Sequence, residues 1–127
     1  MLLVAAGKMV AVALAAAERL GAQGVSATVF DARFVKPLDP DIAALAARHR
    51  GVCTVEDGTA VGGLGSAVCE RLEEAGVTVP VRRLGLPDRF IEHGDPSSLL
   101  AQFGLDRDGV AAAALDVIRV VPASVAG

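Results

Sequence analysis

The chain opens on an uninterrupted apolar run, Leu2 to Ala6, and after Gly7 the apolar positions recur as Val10, Ala13, Leu14, Ala17 and Leu20. The run has the length of a buried strand and the recurrence has the spacing of one helix face, so the pattern predicts a strand feeding a helix. Gly21 and Gly24 stop that helix. Val25 to Phe30 reads as a second strand from its β-branched content, followed by a loop around Arg33, Lys36 and Pro37. Asp39-Pro40 suits a helix start, since the Asp side chain can accept a first-turn N–H and proline costs nothing at the first helical position. Ile42, Leu45, Ala46 and His49 then share a face. The alternation repeats, with a strand over Val52 to Glu56, a glycine-rich loop, a helix over Ala67 to Ala75 closed by Gly76, and a fourth strand over Pro80 to Leu84. Two helices are expected beyond it, one from Asp95-Pro96 to near Gly104 and one from near Asp106 to about Arg119. Residues 120–127 carry no periodicity and are expected to fray.

Strands alternating with helices across short links argue for an α/β fold, a mainly parallel sheet of four to five strands covered by helices on both faces. One domain over residues 1–119 is expected, since the 127-residue length leaves room for one core. Right-handed crossovers gather the βα loops on the carboxyl edge of such a sheet, where ligands of open α/β folds bind. Gly7, the Arg33 to Lys36 loop, the Glu56 to Ser66 loop and the Gly85 to Gly94 loop meet there.

Composition narrows the chemistry. Hydrophobic residues make up 53% of the chain and aromatics only 3%, with no Trp or Tyr, so the core must be built from Ala, Val and Leu and few stacking platforms remain for single-stranded nucleic acid. The net charge of −3, with Lys and Arg scattered, gives no electrostatic footprint for nucleic acid or an anionic membrane. Cys53 and Cys69 lack the Cys or His partners of a zinc site and read as reduced thiols packed as small hydrophobes. The opening apolar run is too short for a signal peptide or a membrane span, which makes the cytoplasm the default location. The chain also starts inside a strand, which natural domains rarely do, so a truncation is expected at Met1.

Four groups could carry chemistry. Gly62-Gly63-Leu64-Gly65-Ser66 lies between a strand and a helix, where bare N–H groups and the helix dipole can hold an anion, but it matches neither a dinucleotide fingerprint nor a P-loop. The glycines serve equally to pack a helix tightly on the sheet. Glu56-Asp57 could bind a metal or act as an acid–base pair. Adjacent strand residues point to opposite faces, however, so helix-cap, loop or interdomain hydrogen bonding is the simpler role. His93, beside Asp88, Arg89 and Glu92, could act in a site or merely bond loop backbone. Arg33, Lys36 and Arg89 could bind a phosphate or an acidic partner, or form solvated or interdomain ion pairs. His49, late in a helix between Arg48 and Arg50, reads as a surface or dipole-complementing residue.

Several motifs together resemble one family. These are Asp31-Ala32-Arg33-Phe34-Val35-Lys36-Pro37-Leu38-Asp39, Val55-Glu56-Asp57, Gly62-Gly63-Leu64-Gly65-Ser66-Ala67-Val68, and Gly85-Leu86-Pro87-Asp88 with Phe90-Ile91-Glu92-His93-Gly94. The first two occur across transketolases and dehydrogenase E1 subunits. The Gly85 to Gly94 stretch and Gly104-Leu105-Asp106 resemble the C-terminal domain of 1-deoxy-D-xylulose-5-phosphate synthases. The resemblance implies a three-layer α/β/α sandwich whose mixed sheet takes an antiparallel strand from upstream of Met1. It also implies a parent homodimer that condenses pyruvate with glyceraldehyde 3-phosphate, using thiamine diphosphate and Mg2+ held by upstream domains. No catalytic, cofactor-binding or metal-binding residue carries over to this chain, because the family's Gly-Asp-Gly cofactor motif is absent and Glu56-Asp57-Gly58 does not replace it. The implied role is to brace the active-site domains and the dimer. Two rivals remain, a free-standing flavodoxin-like module binding a phosphorylated ligand at Gly62 to Ser66, and the equivalent domain of another transketolase-type enzyme.

Overall fold

Leu2–Ala5 forms the first strand, β1, and each of its four residues is buried. Burial on both faces requires a layer of helices above and below, and β1 lies at the centre of the sheet between β2 (Thr28–Asp31) and β3 (Val52–Thr59). The strand β4 (Val81–Leu86) extends the sheet beyond β3, giving the order β2-β1-β3-β4 with every pairing parallel. The computed structural model describes residues 1–33, 38–59, 63–86 and 100–119, with backbone alone for Gly58 and Thr59. The antiparallel strand implied upstream of Met1 has no counterpart among these residues.

Strand parity sorts the core into two halves. Leu3, Ala5, Cys53 and Val55 face the helices α1 (Met9–Ala22) and α4 (Arg107–Arg119), meeting Met9, Ala13, Ala16, Leu20, Val110, Ala114 and Val117. Leu2, Val4 and Val52 face α2 (Asp41–Ala47) and α3 (Leu64–Glu74), meeting Ile42, Ala46, Leu64, Val68 and Leu72. The result is the expected sandwich of helices on both sides of a parallel sheet. The alanines of α1 and α4 let these helices pack against each other as well as on the sheet.

Helix ends follow from local chemistry. At the end of α3, Gly76 takes φ +70° and the Val77 N–H reaches back to the Leu72 carbonyl at 2.9 Å. Both side chains join the same apolar cluster, which completes a Schellman motif. The same closure at Gly24 explains why β2 begins at Thr28 and not at Val25. The Val25 N–H is spent on the Leu20 carbonyl at 2.8 Å, so it is withdrawn from the sheet. The start of α2 follows expectation, with the Asp41 N–H donating to the Asp39 carboxylate at 2.9 Å. Asp106 caps α4 in the same manner, accepting from the Gly109 N–H at 2.8 Å. The start expected at Asp95-Pro96 lies outside the described residues, although residues 100–102 are helical.

Burial raises the Cys53 thiol to about 12 from 9.0, against a smaller opposing pull from Arg82. Below pH 9.0 the thiol is neutral in both folded and unfolded chains and stability does not depend on it. Above that value the unfolded thiol ionises first, so the native state loses stability until about pH 12. Urea unfolding at about pH 8 and about pH 10.5 should show a loss near 1–2 kcal/mol that Cys53→Val removes. A slope unchanged by the substitution would show that Cys53 does not cause it.

Candidate functional site

The carboxyl edge of the sheet gathers the ends of β1, β2 and β3 with the start of α3. Its organising residue is Glu56, an acidic side chain that is only 8% exposed. Its Oε1 accepts the Leu64 N–H at 3.1 Å and its Oε2 accepts the Gly65 N–H at 3.0 Å. Each oxygen of the carboxylate therefore satisfies one of the orphan N–H groups that open a helix, and the negative charge lies at the positive end of the α3 dipole. This cap also explains why α3 starts at Leu64, three residues before the periodicity at Ala67 suggested.

Parity along β3 separates the two adjacent carboxylates. Thr54 and Glu56 follow Val52 toward α3, whereas Asp57 turns to the opposite side and meets Lys8, at the start of α1, at 3.5 Å. Both partners of that ion pair are largely solvated, so it contributes at most about 1 kcal/mol. The sheet is irregular here. Val55 pairs with Leu84 and Thr59 with Leu86, so β3 carries two residues more than β4 across this span. Bulges re-aim side chains at the ends of strands, and this one falls on Glu56, Asp57 and Gly58.

Gly65 explains the glycine at the helix start. A Cβ there would lie 2.8 Å from Arg83 Cγ and Cδ and from Thr54 Oγ1. Only a bare Cα lets the first turn of α3 sit this close to β3 and β4. Arg83 also donates to Ser66 Oγ at 3.4 Å. The Thr54 hydroxyl is fully buried beneath this contact, without a hydrogen-bond partner among the described residues. Gly63 precedes the helix at φ −98° and ψ −145°, and its carbonyl accepts the Ala67 N–H at 3.1 Å.

The other candidates divide. Arg33 lies on the same edge, 4.0 Å from Asp31, with its side chain almost entirely in water. Gly62, Lys36, His93 and Arg89 lie outside the described residues. Glu56 and Asp57 do not act as a pair, since the first faces backbone N–H groups and the second an ammonium. Among the described residues no group of three or more His, Cys, Asp or Glu side chains is placed to hold a metal ion. His49 lies away from this edge, where its Nδ1–H donates to the Leu45 carbonyl at 2.6 Å and its Nε2 meets Thr28 Oγ1 at 3.1 Å. It thereby fastens the end of α2 to the edge strand β2. Two contacts hidden from the sequence are Lys8–Asp57 and His49–Thr28, which join residues far apart in the chain.

Glu56→Gln keeps the shape of the side chain but removes the charge and turns an amide toward one N–H. It should lower stability by about 1–3 kcal/mol in urea unfolding and speed hydrogen exchange at the Leu64 and Gly65 amides. Gly65→Ala should cost a similar amount, about 1–3 kcal/mol, by pushing α3 off the sheet. Wild-type stability in both variants would show that neither the cap nor the close approach matters.

Comparison with known proteins agrees with this arrangement. A protein-family profile described as "Transketolase, C-terminal domain" matches residues 1–110. The chain is 52% identical over 109 residues to the 1-deoxy-D-xylulose-5-phosphate synthase of Methylibium petroleiphilum, covering 85% of this chain and 16% of that protein. It is 59% identical over 93 residues to the synthase of Bordetella parapertussis, covering 72% of this chain and 15% of that protein. A solved structure titled "Split gene transketolase, inactive beta4 tetramer" superposes with a TM-score of 0.87 at 38% identity, over 95% of this chain and 40% of that one. The chain spans about a sixth of the length of the curated relatives it matches. The likeness to synthase C-terminal domains expected from the motifs therefore holds across most of its length, and the chain belongs to the transketolase C-terminal domain family.

Proposed function

We propose that the chain is the supporting C-terminal lobe of a 1-deoxy-D-xylulose-5-phosphate synthase, and that it carries no catalytic group of its own. The parent enzyme would condense pyruvate with glyceraldehyde 3-phosphate, with loss of carbon dioxide, in the supply of isoprenoid, thiamine and pyridoxal precursors. The observation that carries this reading is the fate of Glu56. The best-placed acidic group on the carboxyl edge is consumed inside the domain, by the first turn of α3. The greater identity to the synthases than to the split transketolase favours the former as parent.

Thiamine diphosphate and Mg2+ belong to the parent by this reading, and the described residues do not fit them. Mg2+ bound with a diphosphate takes free carboxylate oxygens. Here Glu56 faces two N–H groups and Asp57 faces Lys8. No step of the chemistry is therefore assigned to this chain. Its contribution is a rigid surface, and the exposed pairs Lys8–Asp57 and Arg33–Asp31 along the carboxyl edge are suited to polar contact with a sister domain or second subunit. Among the described residues no helix is long and apolar enough to cross a membrane. A phosphorylated ligand at residues 62–66 is less favoured, because it would have to displace Glu56 from the Leu64 and Gly65 N–H groups.

The 127-residue chain, supplied with pyruvate, glyceraldehyde 3-phosphate, thiamine diphosphate and Mg2+, should form no deoxyxylulose phosphate. The coding sequence upstream of Met1 should encode a cofactor-binding region. Product formation by the chain alone would overturn the supporting role, and an upstream region without a cofactor motif would remove the synthase as parent.

A further inference from the structure

The opposite, amino edge of the sheet holds a cleft of about 460 Å3 between the turn after α1, the end of α2 and the end of α4. Its walls are of two kinds. Val25 and Ile118 present half-buried apolar surface, while Arg48 and Arg50 stand at the rim with exposed side chains. No carboxylate contributes to the lining, and neither guanidinium has an ion-pair or hydrogen-bond partner among the described residues. Arg19 by contrast is paired with Asp108, and Arg119 with Asp116.

Met1, just before β1, also lines the cleft, and its backbone nitrogen donates to the Ser26 carbonyl at 3.1 Å. The frame is also held in place, because His49 between the two arginines uses both ring nitrogens on Leu45 and Thr28. A fixed backbone, two unpaired guanidinium forks and an apolar wall form a receptor for an anion with an organic body. The cleft volume lies within the usual range of small-ligand sites.

We propose that this cleft binds a small phosphate monoester, its phosphate held by Arg48 and Arg50 and its organic part against Val25 and Ile118. Guanidinium forks match phosphate oxygens in a bidentate manner, which separates this ligand class from a point-charge contact. The site is distinct from the glycine-rich start of α3, where an internal carboxylate already fills the anion position. It does not depend on the identity of the parent enzyme.

Titration of the labelled chain with phenyl phosphate, followed by backbone amide shifts, tests the assignment. Saturable shifts are expected at Val25, Ser26 and Ile118, with tighter binding than for inorganic phosphate or benzoate. Arg48→Gln with Arg50→Gln should weaken binding about ten-fold or more. Arg48→Lys with Arg50→Lys keeps the charge, loses the forks, and should also weaken it. Unshifted amides elsewhere would show that each variant is folded. The proposal is overturned by lack of saturation in the millimolar range, by equal shifts with sodium chloride at matched ionic strength, by benzoate binding as tightly, or by undiminished affinity in the glutamine variant.

Discussion

The contact between the Glu56 carboxylate and the first turn of α3 fixes much of the architecture around it. A carboxylate with little access to water is costly unless its oxygens find donors, and a helix start has several N–H groups without partners. Joining the two deficits satisfies both. Because Glu56 lies in the strand beside β1 and the N–H groups begin the following helix, the bond also ties β3 to α3. The position of α3 over the sheet, and so the α2–α3 half of the core, follows from that tie.

Gly65 and Thr54 show the consequence of such close docking. The helix start comes down on β3 and β4 so tightly that a single methyl group would meet Thr54 and Arg83. The Thr54 hydroxyl loses access to partners in the process. Burial of an unpaired hydroxyl opposes folding by about 1–3 kcal/mol, which the contacts around Leu64 and Val68 must offset. In other α/β proteins this position at the start of a helix receives a phosphate from outside. Here the chain supplies the anion, and the same geometry becomes part of its own framework.

The regular part of the fold was legible because its signals are local. Apolar runs marked β1 and β3, 3.6-residue recurrence marked α1, and glycines marked the ends of α1 and α3. Boundaries shifted wherever a backbone N–H answered to something distant or to a turn. Val25 left β2 because Leu20 claimed its N–H, and α3 gained a turn because Glu56 reached it from β3. Strand parity narrowed the choice among roles for Glu56 and Asp57, but the helix start that Glu56 caps lies three residues before the one the periodicity gave. The partner of Asp57 was not, since Lys8 is brought beside it by the pairing of β1 with β3. The amino-edge cleft was invisible for the same reason. Arg48, Val25 and Ile118 come from three separate elements and have no common sequence pattern.

The two edges of the sheet thus differ in how their charges are balanced. At the carboxyl edge Glu56 is met by the N–H groups of α3, Asp57 by Lys8, and Arg33 by Asp31. A surface balanced in this way can meet another protein domain without leaving an isolated charge behind, because its polar groups enter the contact already satisfied. At the amino edge the Arg48 and Arg50 guanidinium groups have no counter-charge among the described residues, and a helix C-terminus beside them accounts for only part of their placement. Solvent can keep such groups hydrated, but the apolar wall between them gains nothing from water. Charge imbalance next to half-buried apolar surface is the combination that a ligand can relieve, which is why the cleft and not the glycine-rich loop is the place where this domain still has binding capacity to offer.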